Sequence, residues 1–247
     1  MEAVSQDQNV RDRIIVALDV ETANEARDIV RQLDGSVGAF KVGLQLFTAA
    51  GPALVREFTE FGARIFLDLK FHDIPNTVAK ASVEAAGLGV WMFNVHASGG
   101  SEMMRRAVES VNIACEAKNI KRPLMIGVTV LTSSTSETLR EVNVANGIED
   151  QVVALARLVE EAGMDGVVAS PNEVTAVRKA VKGDGFVMVT PGIRQSLATD
   201  DDQKRVTTFG QAMANGSDYV VIGRPITEAV DMLAAIEQII AGVPANS

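Results

Sequence analysis

Residues 66–77, FLDLKFHDIPNT, carry an acid, a base and a second acid as Asp68, Lys70 and Asp73, directly after an apolar IFL run. On an extended chain, residues two apart share a face and lie about 6.6 Å apart along it, so Asp68 and Lys70 point the same way and their side chains can converge. Carboxylates close to a lysine favour its charged form and oppose the desolvation that would neutralise it. Lys70 is therefore expected to remain an ammonium, which weakens a Schiff-base reading, because an amine must lose its proton before it attacks a carbonyl. A cation held by acids is suited instead to giving a proton to a developing carbanion. Lys41, near the end of an earlier apolar run, extends the set to an alternating array of acids and bases. Asp73, in a turn before Pro75, is free to face a different pocket, including a neighbour's. A solvated surface salt-bridge run is the bland alternative, and its position directly behind IFL speaks against it.

A second group of residues suits an anion. Thr190-Pro191-Gly192-Ile193-Arg194 and Ile222-Gly223-Arg224-Pro225 each follow an apolar run in the C-terminal quarter. Arg224 offers planar, bidentate donors that match a phosphate, and Arg194 and Gln203 lie in a long loop able to close over it. A turn alone would account for either Gly192 or Gly223; the pair together points to a phosphate site. The two histidines, His72 and His96, have neither a third ligand nor a cysteine pair for a metal, so His96 reads as a hydrogen-bonded rim residue. Cys115, Trp91, Met103 and Met104 read as packing residues.

These groups need a frame that brings them to one rim. Eight short β-rich runs, at residues 13–19, 39–42, 64–68, 91–96, 124–130, 166–169, 186–190 and 219–222, alternate with stretches of helical periodicity. Most are continuously apolar, as strands covered on both faces should be. The pattern predicts a single-domain α/β protein with a (β/α)8 TIM-barrel fold over residues 11–247, after a flexible polar tail at 1–10. An open doubly wound sheet is the structural rival, but no GxGxxG follows the first strand. In a barrel, ligands bind at the carboxyl ends of the strands, and Asp19, Lys41, Asp68, His96 and Arg224 all fall there. Residues 131–148 and 191–205 read as loops. Hydrophobic residues make up 47% and charged residues 22% of the chain, enough to bury a large aliphatic core. The net charge of −9 opposes general attraction to nucleic acid or an acidic membrane. A single cysteine, a polar N-terminal segment and the lack of an apolar run near the roughly 20 residues of a membrane span suggest a cytoplasmic protein.

DLKFHDIPNT, NVHASGG at 94–100, TVLTS at 129–133, TPGIR at 190–194 and VIGRP at 221–225 closely resemble the bacterial orotidine 5'-phosphate decarboxylase family, in the right order over residues 13–240 or so. The resemblance implies a homodimeric barrel that converts orotidine 5'-monophosphate to UMP without a metal, flavin, pyridoxal phosphate or nicotinamide. It implies that Asp19 and Lys41 bind the ribose hydroxyls and that Asp68 and Lys70 flank the C6 carboxylate. Asp73 and Thr77 would come from the partner subunit, Thr132 and Ser133 would read the pyrimidine edge, and Arg194, Gln203, Gly223 and Arg224 would hold the phosphate. Two rivals remain. The related Mg2+-dependent sugar-phosphate enzymes use a second-strand acid where this chain has Lys41, and a non-catalytic phosphate-binding barrel would be expected to lose part of the charged array.

Overall fold

The computed structural model describes residues 6–192 and 207–243. Eight strands form: β1 (Ile14–Ala17), β2 (Ala39–Gly43), β3 (Ile65–Phe71), β4 (Met92–His96), β5 (Leu124–Val128), β6 (Gly166–Val168), β7 (Val187–Thr190) and β8 (Tyr219–Ile222). They coincide with the eight runs read from the sequence, with ends moved by up to three residues. Every pairing is parallel, and β1 pairs with both β2 and β8, so the sheet closes in chain order into a (β/α)8 barrel. The helices are α1 (Gln6–Arg11), α2 (Ala23–Leu33), α3 (Leu44–Phe61), α4 (Pro75–Gly87), α5 (Gly100–Lys118), α6 (Ser136–Glu141), α7 (Ile148–Glu161), α8 (Val174–Ala180), α9 (Phe209–Ala214), α10 (Arg224–Thr227) and α11 (Met232–Ala241). The first of them falls mostly within the segment read as a tail.

Local sequence explains where several helices begin. Thr22 accepts a hydrogen bond from the Glu25 amide at 3.2 Å, and the Glu25 carboxylate accepts one from the Thr22 amide at 3.1 Å, closing a capping box on α2. Within α3 the backbone breaks at Gly51, where φ is +70°, and Pro52 opens the second half. Proline disfavours the right-handed helical conformation in the residue before it, and glycine accepts the alternative. The loop expected at 131–148 is instead interrupted by α6. Its start is a reciprocal Thr135/Thr138 pair, with both amide-to-hydroxyl bonds at 3.3 Å. A threonine at the third helical position lacks the Glu or Gln signature from which such a box is read.

Two apolar layers result. Ile14, Val16, Phe40, Val42 and Leu67 face the helices, while Ile15, Ala17, Ala39, Phe66, Met92, Ile126, Val189 and Val221 fill the barrel interior. Gly127 is required where α7 crosses β5, since a Cβ there would lie 2.2 Å from a Val159 methyl. Met103, Met104 and Cys115 lie in the core of α5, and burial pushes the Cys115 thiol pKa up. Among the described residues no helix is long and apolar enough to cross a membrane.

Candidate active site

Strand periodicity places the charged residues. Inward-facing side chains recur every second residue, so the position above Ala39 in the barrel is Lys41, the one above Phe66 is Asp68 and the one above Met92 is Asn94. The register sets Lys41 beside Phe66 and Gly43 beside Asp68. Asp19 follows two residues after the inward-facing Ala17. Lys41, Asp68 and Asn94 are only 8%, 9% and 0% exposed, so their polar atoms must find partners inside the barrel mouth.

They find one another. Lys41 Nζ lies 3.0 Å from Asp19 Oδ1 and 3.4 Å from Asp68 Oδ2. Lys70 Nζ lies 2.7 Å from the other oxygen, Asp68 Oδ1, which also accepts a hydrogen bond from Asn94 Nδ2 at 2.6 Å. Burial by itself would lower the Lys41 pKa, but the Asp68 and Asp19 carboxylates outweigh it and hold the ammonium above its ordinary value. Gly43 keeps this space open, because a Cβ there would stand 3.0 Å from Lys41 Nζ. The result is a continuous chain, Asp19–Lys41–Asp68–Lys70, in which the central carboxylate is shared by two cations.

The expectation that Asp68 and Lys70 converge along an extended strand is met in outcome but not in route. Lys70 has φ +53°, in the left-handed region, and the β3–β4 register shifts between Leu67 and Phe71. Its amide, displaced from the regular ladder, donates instead to Asn94 Oδ1 at 2.8 Å. Asn94 enters the sequence reading only as the first residue of NVHASGG. The signal that could have found it is an amide at an inward position of the otherwise apolar strand MFNVH.

Asp73 and Thr77 are exposed at the start of α4. Asp73 Oδ1 accepts from the Ile74 amide at 2.6 Å, and no ion pair within 4 Å joins it to Lys70 among the described residues. The His72 and His96 rings stand 5.6 Å apart beside the array, and the His96 pKa is lowered by burial, His72 and Lys70, against a smaller opposing effect of Asp68. Thr132 is half-buried and Ser133 exposed in the turn after β5. Gly223, following β8 and so beside β1, borders the array, since a Cβ there would meet Ala17 Cβ at 3.5 Å and Asp19 Oδ2 at 3.8 Å. Arg224 follows, exposed, as the first residue of α10. Arg194 and Gln203 lie outside the described residues.

A cavity of about 580 Å³, lined by Arg64, Trp91, Lys121 and Arg122 among others, opens at the opposite end of the barrel. The C-termini of α3, α4 and α5 converge there. Its cations answer those helix dipoles, Arg64 stacks 4.0 Å over Trp91, and Arg122 is paired with Asp165 at 2.7 Å. It is remote from the Asp19–Lys41–Asp68–Lys70 array.

An acid–base array set into the carboxyl ends of a closed (β/α)8 sheet, with Lys41 and Asp68 buried at its centre, defines a barrel enzyme. The sequence profile of the orotidine 5'-phosphate decarboxylase / HUMPS family matches residues 12–239, and the chain belongs to that family. Orotidine 5'-phosphate decarboxylase of Syntrophotalea carbinolica is 54% identical over 230 residues, covering 93% of this chain and 94% of the relative. The enzyme of that name from Geobacter sulfurreducens is 52% identical over 237 residues, covering 96% and 98%. A crystal structure of orotidine 5'-phosphate decarboxylase from Lactobacillus acidophilus superposes with a TM-score of 0.80 at 39% identity, covering 92% of this chain and 96% of that one.

Proposed function

We propose that the protein decarboxylates orotidine 5'-monophosphate to UMP and CO2, the last step of de novo pyrimidine nucleotide synthesis, with Lys70 as the proton donor. The observation that carries this reading is the Lys70 ammonium held 2.7 Å from a carboxylate in the catalytic mouth of a chain of this family. When the bond from C6 to the carboxylate breaks, its electron pair stays on C6 in the plane of the ring, where the pyrimidine π system cannot delocalise it. A fixed cation can stabilise that charge electrostatically without reorganising. Lys70 then transfers a proton to C6, and the resulting amine regains one from solvent. Asp68, next to the substrate carboxylate, adds repulsion that departure of CO2 relieves.

The other residues divide the rest of the ligand. Asp19 and Lys41 bind the ribose hydroxyls, and Thr132 and Ser133 read the pyrimidine edge. Gly223 and Arg224, with Arg194 and Gln203, hold the phosphate. The protein acts as a cytoplasmic homodimer in which Asp73 and Thr77 reach into the partner's site; their exposure at the start of α4 supports this. Mixing Lys70→Ala with Asp73→Ala subunits should therefore restore one working site per heterodimer. Mixtures that exchange subunits yet stay inactive would argue for a site complete within one chain.

Phosphate lies far from the reacting carbon, so its binding energy is available for loop closure over the site. Arg224→Ala is expected to raise KM by about 10- to 100-fold, the equivalent of one charge-assisted hydrogen bond, and to lower kcat as well. Unchanged steady-state kinetics would remove Arg224 from the phosphate site. The reading as a whole is tested by the absorbance change when orotidine 5'-monophosphate is added to protein treated with EDTA. Conversion to UMP supports it. Activity that needs Mg2+ would point to an enediolate-forming relative, and UMP binding without turnover to a non-catalytic barrel.

A further inference from the structure

We propose that Asn94 is the positioning residue that holds Lys70 in its left-handed conformation and so aims the ammonium at the reacting carbon; this rests on the decarboxylase reading. Asn94 is fully buried and has two polar contacts, both to the array: Nδ2 donates to Asp68 Oδ1 at 2.6 Å, and Oδ1 accepts from the Lys70 amide at 2.8 Å. A non-glycine residue with positive φ is uncommon and persists only where its surroundings over-determine it. At Lys70 the surroundings that do so are visible. The register shift between Leu67 and Phe71 takes the Lys70 amide off the ladder, and an amide turned into the barrel needs an acceptor. Asn94 supplies it from β4, with the rest of its amide locked onto the carboxylate that Lys70 Nζ also contacts.

The residue type is dictated by this geometry. One side chain must offer an acceptor to a backbone N–H and a donor to a carboxylate, side by side and without charge. Asparagine meets that requirement, whereas an aspartate would present only acceptors and place a second negative charge within hydrogen-bonding distance of Asp68. Asn94 contacts Lys70 and Asp68, and acts through them.

Two variants of the full chain test the assignment. In Asn94→Ala, kcat should fall about 100-fold, as for a displacement of a catalytic group by roughly 1 Å, with UMP affinity changed far less. Asn94→Asp should be more informative. Two facing carboxylates cannot both ionise readily, so the pair retains one proton to higher pH than either would alone. While that proton is present, the introduced carboxyl can donate to Asp68 and still accept from the Lys70 amide. Activity of Asn94→Asp relative to wild type should therefore rise as pH falls, which a merely structural role would not produce. A flat ratio across pH, or an Asn94→Ala enzyme with wild-type kcat, overturns the assignment. A crystal structure of Asn94→Ala judges the geometry without reference to activity: Lys70 should leave φ near +53°, and its retention there with Nζ still on Asp68 would overturn the proposal. If wild type fails to turn over orotidine 5'-monophosphate, the decarboxylase reading is lost, while the backbone result still decides what Asn94 does.

Discussion

Lys70→Ala should lower kcat by at least about 10,000-fold while leaving UMP binding nearly intact. Proton transfer by a positioned acid contributes roughly 10²- to 10⁴-fold, and one preorganised donor aimed at developing charge about 10²- to 10³-fold. Lys70 is proposed to supply both, so its removal forfeits most of their product. The product UMP has no carboxylate at C6, and its affinity rests on the phosphate, ribose and base contacts. The measurement is single-turnover decarboxylation beside a UMP titration on the same preparation. A loss of less than tenfold would assign the proton to another group. Because Asp68 and Lys70 share a hydrogen bond of 2.7 Å and act as a unit, the double variant should be scarcely worse than Lys70→Ala alone.

Asp68→Asn should damage stability as well as chemistry. Asp68 is the carboxylate shared by two ammonium groups, one of them, Lys41, almost wholly buried. Breaking a buried pair on one side leaves an uncompensated charge and costs about 3 to 5 kcal/mol. Asp19 remains beside Lys41 at 3.0 Å, but its side chain is 58% exposed and solvent screens it, so a loss near 3 kcal/mol is expected in a urea melt. The pH dependence gives a second check. The folded-state pKa of Lys41 is raised, so the stability it contributes is fully present below its ordinary value of 10.5 and is lost as pH rises through the folded value. In Asp68→Asn the chief carboxylate opposing burial is gone, and this alkaline loss should shrink or reverse sign. An Asp68→Asn protein as stable as wild type at neutral pH, with the same alkaline limb, would show that Lys41 is adequately held by Asp19.

Much of this was readable along the chain. Continuous apolar runs such as IIVAL and VVI, each closed by a charged or glycine residue, mark strands covered on both faces, and eight of them separated by helices leave few topologies other than a closed barrel. The same two-residue period that puts Ala39 and Phe66 inside the barrel puts Lys41 and Asp68 there one layer higher. The site's charged residues were legible because charge at the end of a buried strand conflicts with burial unless it is paired. Residues 136–141 were harder. Their helix is six residues long, too short for periodicity, and its capping box closes on Thr138 in place of the Glu or Gln from which such a box is read.

Sequence by itself determined the eight strands, their order and the inward or outward side of their residues, because those depend on local periodicity and on hydrophobic burial. Tertiary structure alone decided how the inward residues meet. Lys70 lies two residues from Asp68, yet its approach comes from a left-handed backbone and a slipped register that no i, i+2 pattern encodes. Asn94 lies 24 residues further along the chain than Lys70, and its amide bridges Lys70 and Asp68 only because β4 pairs beside β3. A hydrogen bond between strands is a property of register, and register is settled when the barrel closes and every buried polar atom must find its partner.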